Sequence, residues 1–190
     1  LVAIVQRDLK RMLAYSAVAQ AGYIAVGLAA FNFEGSAAAL FYGFLYLLMN
    51  AAAFLVVARV GADGTNPSLD DLRGLHRRSP LLAATLMLAV FALAGVPPTA
   101  GFIGKWFLFR AAMQEGLWWL VLLGAVNATI SIYYYLIVVK HAYLLPAEEE
   151  RPVVLSLGDK VLAYGLCAAI VVLGVWPTPV YDLAVRAAAG

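Results

Sequence analysis

From residue 80 to residue 113 the chain runs for 34 residues with charge only at Lys105 and Arg110. A hydrocarbon core about 30 Å thick is crossed by roughly 20 helical residues, so one straight helix cannot use this length. Gly95, Pro97, Pro98 and Gly101 mark where it breaks. Two prolines remove two N–H donors, and glycine admits backbone angles that a helix does not use. The spacing predicts a membrane helix in two halves about an unwound midsection, with the Lys105 ammonium just beyond the break. Irregular backbone and a charge at membrane depth are tolerated only against protein or a water-filled cavity, which makes this segment a candidate ion or proton site.

The rest of the chain agrees with a membrane setting. Hydrophobic residues make up 64% of it and charged residues 13%, against about 25% charged in soluble domains. The net charge of +2 is small and evenly spread, which argues against a nucleic-acid partner. One cysteine, Cys167, lies in an apolar run; it excludes an internal disulfide and reads as a packing residue. The two histidines, His76 and His141, have no metal-ligand spacing to acids or to cysteine. The stub Leu1 to Val5 is too short to cross a bilayer and lacks the basic region of a signal peptide, so an earlier part of the chain is expected to be missing.

Apolar runs of spanning length alternate with short polar loops. They predict an all-α, polytopic transmembrane helix bundle with one discontinuous helix, forming one domain of five crossings: 12–31, 36–60, 80–113 broken at 95–101, 117–143 and 161–180. Basic residues orient it, because short cytoplasmic loops retain Lys and Arg. Arg7, Lys10, Arg11, Arg59, Arg73, Arg77, Arg78, Lys140, Arg151 and Lys160 fall on one side, and only Arg110 and Arg186 on the other. The predicted carboxyl terminus therefore lies on the outer face.

Lys105 sits eight residues before Met113, about 12 Å in from the outer helix end and near the midplane, beyond easy snorkelling. Desolvation disfavours the charged form of a lysine and so suits it to give up and recover a proton. No acid of this chain is placed to pair with it at depth. The alternative is a structural lysine held by a carboxylate on another subunit or on the missing part.

Other polar groups recur at membrane depth: Tyr15, Ser16 and Gln20 on the first helix; Tyr42, Tyr46 and Asn50 four apart on the second; Asn127, Ser131 and Tyr134 or Tyr135 on the fourth. Such faces either hold a hydrated path or join helices by hydrogen bonds. Trp118, Trp119, Trp176 and Tyr181 fit an interfacial aromatic belt. The Glu148-Glu149-Glu150-Arg151 run reads as a solvated loop. The segment from Asn66 to Leu75 reads as a short turn at the inner surface, capped by Ser68 or Asp70.

Three segments carry a resemblance: Asp8-Leu-Lys-Arg-Met-Leu-Ala-Tyr-Ser16, Gln20-Ala-Gly-Tyr23, and Pro-Pro-Thr-Ala-Gly-Phe-Ile-Gly-Lys ending at Lys105. In this order they resemble the antiporter-like membrane subunits of proton-pumping NADH-quinone oxidoreductase, respiratory complex I, along essentially all 190 residues. The L and M branches and the sodium/proton antiporter relatives have two histidines four apart and then a lysine on the second of these helices. This chain has Tyr46, Asn50 and Phe54 there, and its Gly101-Phe-Ile-Gly-Lys105 is similar to the N branch. That departure argues against carrying over a histidine-based relay.

The resemblance implies the carboxyl-terminal part of a fourteen-helix subunit built on inverted five-helix repeats. It implies that Lys105 is the proton-exchanging lysine of the second broken helix. It further implies a bacterial inner (cell) membrane location and other complex I membrane subunits, including sister antiporter-like subunits, as partners beside the lipid bilayer. No cofactor is implied in this chain; NAD, FMN, iron–sulfur clusters and quinone belong to other subunits. A multisubunit cation/proton antiporter subunit and a purely structural membrane subunit stay open as alternatives.

Overall fold

The computed structural model describes residues 2–61, 66–147 and 152–189. Leu1, Arg151 and the acidic run that precedes it lie outside the described residues. The described residues form helices α1 (Leu9–Ala29), α2 (Phe33–Val60), α3 (Leu75–Arg78), α4 (Pro80–Ala94), α5 (Ala100–Gln114), α6 (Trp118–Tyr143), α7 (Leu157–Val175) and α8 (Thr178–Ala189). Four of them, α1, α2, α6 and α7, are each long and apolar enough to cross a membrane alone. The helices α4 and α5 are two halves of a discontinuous one.

Local chemistry sets the ends. Asp8 caps α1 by accepting from the Arg11 N–H, and Asn32 caps α2 by accepting from Gly35. Pro80 opens α4 at a position whose N–H has no partner inside the helix. A capping box opens α7: the Ser156 hydroxyl accepts from the Asp159 N–H, while the Asp159 carboxylate accepts from the Ser156 N–H.

At the centre of the bundle, α2 packs against α1, α4, α5, α7 and α8. Water does not drive apolar helices together inside a bilayer, so close packing between small residues must do it. Accordingly Ala37, Ala38, Ala52 and Ala53 of α2 are buried, and Gly104 of α5 faces Tyr42 and Leu45. At one end of the bundle Arg59, near the end of α2, meets Asp159 of α7 at 2.7 Å. At the other end Arg110 of α5 lies 3.5 Å from Glu34 of α2, and Asn32 donates to Glu115 at 2.8 Å.

The unwound midsection covers 95–99, shorter than the expected 95–101. Gly101 belongs to the first turn of α5, and its requirement is space: a Cβ there would meet the Ala92 carbonyl oxygen. The run 161–180 also differs from expectation. It divides at Trp176–Pro177 into α7 and α8, because proline closes a helix and can open the next. Tyr181 is half-buried, its ring stacked on Phe107 at 4.3 Å and edge-on to Phe41 at 5.5 Å. Trp118, Trp119 and Trp176 are exposed. Between α2 and α3 a 3-10 turn, Asp70–Leu72, follows Ser68, whose N–H and hydroxyl both donate to Asp71. In return the Ser68 hydroxyl accepts from the Asp71 N–H at 3.3 Å, so Ser68 caps the turn, as one of the two expected residues.

Candidate functional site

The break in α4–α5 makes its own acceptors. In an uninterrupted helix the carbonyl of residue i receives the N–H of residue i+4. The carbonyls of Leu93 and Ala94 would thus look to residues 97 and 98, and both are prolines without an N–H. Gly95 turns the chain at φ +89°, and its N–H and that of Val96 go back to Phe91 and Ala92. Leu93 and Ala94 are left with two aligned acceptors at the partially negative end of α4.

Lys105 takes both. Its Nζ donates to the Leu93 oxygen at 2.9 Å and to the Ala94 oxygen at 3.0 Å. The side chain comes from the second turn of α5, folds back beside Gly95 and is buried, with 5% of its surface exposed. The ammonium also lies 4.3 Å from the centre of the Tyr23 ring, a cation–π contact. None of the ion pairs among the described residues brings a carboxylate to it. Carbonyl dipoles and one aromatic face therefore hold the charge, and neither would hold a released proton as a carboxylate does.

A buried polar cluster surrounds this seat. Gln20 of α1 donates through Nε2 to the same Leu93 oxygen at 3.1 Å and to the Tyr135 hydroxyl at 3.4 Å. Its Oε1 accepts from the Tyr42 hydroxyl at 2.5 Å. The Tyr135 hydroxyl is also hydrogen-bonded to Ser16. Asn127 of α6 donates to the Tyr23 hydroxyl at 2.9 Å, tying the ring over the ammonium to α6. Four helices, α1, α2, α5 and α6, thus deliver side chains to the carboxyl end of a fifth.

Of the expected polar path, Asn127 joins this cluster through Tyr23. Tyr134 is buried beside it, its ring 4.5 Å from that of Tyr135, and Ser131 turns its hydroxyl onto the Ala128 carbonyl at 2.7 Å. Tyr46 and Asn50 lie one and two turns inward of Tyr42, half-buried, and no hydrogen bond among the described residues links them to Lys105. Tyr15 is exposed and lines a surface groove with Asn127 and Tyr134. Sequence reasoning missed the Leu93 and Ala94 carbonyls and the Tyr23 ring. The carbonyls were within reach of arithmetic, four residues before each proline.

Comparison with known proteins follows the same lines. The family described as NADH:quinone oxidoreductase/Mrp antiporter, TM, matches residues 1–131. The chain is 50% identical over 189 residues to NADH-quinone oxidoreductase subunit N 2 of Solidesulfovibrio magneticus, which covers 99% of this chain and 40% of that protein. The chain spans about 40% of the length of the curated relatives it matches. Respiratory complex I from Thermus thermophilus superimposes with a TM-score of 0.82 at 31% identity, over 95% of this chain and 41% of that one. An archaeal membrane-bound sulfane sulfur reductase does so with a TM-score of 0.90 at 28% identity, over 100% and 38%. The helix order, the proline-made break and these matches together establish that the chain belongs to the NADH:quinone oxidoreductase/Mrp antiporter family of transmembrane subunits.

Proposed function

We propose that this chain is part of a proton-translocating membrane subunit of an NADH-quinone oxidoreductase, and that Lys105 takes up and releases the translocated proton. The observation that carries the reading is the seat of Lys105: a buried ammonium held by two proline-orphaned carbonyls, with no carboxylate among the described residues paired to it. In the charged form both carbonyls are satisfied. On losing its proton the amine keeps N–H bonds to donate but no longer draws on the helix end electrostatically, so its hold on the seat weakens. A group that is bound when charged and loosened when neutral can alternate between two proton-accessible positions.

On this reading quinone reduction happens elsewhere in the complex, and NAD, FMN, iron–sulfur clusters and quinone are held by other subunits. The partners are the other membrane subunits, sister antiporter-like ones among them, and the lipid bilayer. The location is a bacterial inner membrane with the carboxyl terminus outside.

The test is proton pumping by vesicles carrying the assembled complex with Lys105→Ala, measured beside assembly and quinone reduction. We expect an assembled complex whose pumping and coupled turnover fall by at least about tenfold, the size of effect seen when a positioned proton-transfer group is removed. Unchanged pumping in an assembled complex would remove Lys105 from the proton path. Transport that follows a sodium gradient without quinone reduction would place the chain with the antiporter branch of its family. Assembly and activity lost together would make Lys105 a structural pin.

A further inference from the structure

The two carbonyls that hold Lys105 are not equivalent. Ala94 has Lys105 as its side-chain donor, whereas Leu93 receives both Lys105 and Gln20. A carbonyl oxygen has two lone pairs and can accept both. The direction of the Gln20 amide is fixed by its neighbours: a carbonyl only accepts, so the nitrogen faces Leu93 and the oxygen receives Tyr42. Gln20 is 1% exposed and every side-chain bond it makes is buried, so it is held in this orientation.

We infer that Gln20 is a positioning residue for Lys105: it keeps the Leu93 carbonyl hydrogen-bonded when the lysine leaves, so that departure uncovers only one acceptor. This rests on the reading of Lys105 as the proton carrier. An unpaired buried carbonyl is costly at membrane depth. With Gln20 in place the seat survives the departure in the same geometry and the returning ammonium finds it preformed. Without that amide, Leu93 depends on Lys105 alone, and the lysine is retained.

The ionisable groups around Gln20 are Lys105 of α5, Tyr42 of α2, Tyr135 of α6 with Tyr134 beside it and, over the ammonium, Tyr23 of its own helix. No carboxylate among the described residues joins them. Substituting glutamate therefore introduces a new kind of group. In its carboxylate form it faces a lysine bound to the same oxygen and attracts the ammonium, whereas its protonated form does not.

The experiment uses the assembled complex in vesicles with Gln20→Met, which keeps the length and removes the donor, and with Gln20→Glu. Lys105→Ala serves as the reference. For Gln20→Met we expect normal assembly and coupled pumping lowered at least about fivefold, the scale of one buried hydrogen bond. For Gln20→Glu we expect pumping restored in acid, where the protonated carboxyl donates to Leu93, with a pH profile unlike that of wild type. Wild-type pumping in Gln20→Met overturns the inference, whatever Gln20→Glu does. Failure of both variants to assemble also overturns it, because Gln20 then acts in packing. If Lys105→Ala itself pumps normally, the reading beneath the inference has failed; if it does not and Gln20→Met does, only the inference has.

Discussion

At the scale of single residues, the site turns on what proline lacks. Pro97 and Pro98 unwind the chain, and they also withhold the two N–H groups that Leu93 and Ala94 would otherwise receive. The ammonium of Lys105 occupies the vacancy that results. Replacing both prolines by alanine offers those carbonyls their helical donors again. The double variant Pro97→Ala, Pro98→Ala is expected to extend α4 and displace Lys105. Pumping per quinone reduced should fall several-fold in an assembled complex, and a pumping ratio equal to wild type would show that the carbonyl pair does not matter. The Gln20 and Lys105 variants belong to the same scale, because each removes one side-chain donor from the carbonyl pair.

Among the helices, α7 shows how an element is placed. Its first turn is closed by the reciprocal bonds of Ser156 and Asp159, and the same carboxylate reaches Arg59 on α2. Start and position are thus fixed by one side chain. Further along, Gly174 packs against the backbone at residues 98 to 100, so α7 covers the break. Ser156→Ala removes one half of the capping box and should lower the stability of the protein in detergent by about 1 kcal/mol, read from thermal or denaturant unfolding. A change indistinguishable from zero would mean that the Arg59 contact alone holds this end. Beyond α7, the short helix α8 lies on α2 and fills the space between Phe41 and Phe107 with Tyr181.

For the molecule as a whole, the described basic residues outside the bundle cluster at the ends of α1, α2, α6 and α7 that face the α3 side, while Arg110 and Glu115 lie at the opposite end. With the positive-inside rule this sets the proposed orientation. Cysteines introduced at Asp71 and at Glu115 in intact cells test it with a reagent that does not cross membranes. The expectation is labelling at residue 115 from outside and protection at 71 until the membrane is opened; the reverse pattern inverts the topology. Cys167 sets little background, since it is half-buried against Thr85 between α4 and α7.

Sequence by itself determined the membrane class, the number of long apolar helices and the existence of the break. Each of these follows from local quantities: apolar run length and proline's missing N–H. It did not determine where the apolar run after Lys160 divides, because Trp176 and Pro177 fit an interface as well as a kink. Nor did it say which polar groups meet. Tyr42, Tyr46 and Asn50 share one stripe of α2, yet only Tyr42 reaches Gln20. Tyr134 and Tyr135 are adjacent in sequence, yet it is Tyr135 that receives the Gln20 amide. Those choices depend on how far each helix is rotated and how deeply it is set against its neighbours. Hydrogen bonds between residues as far as 119 positions apart decide that, and only the tertiary packing contains them.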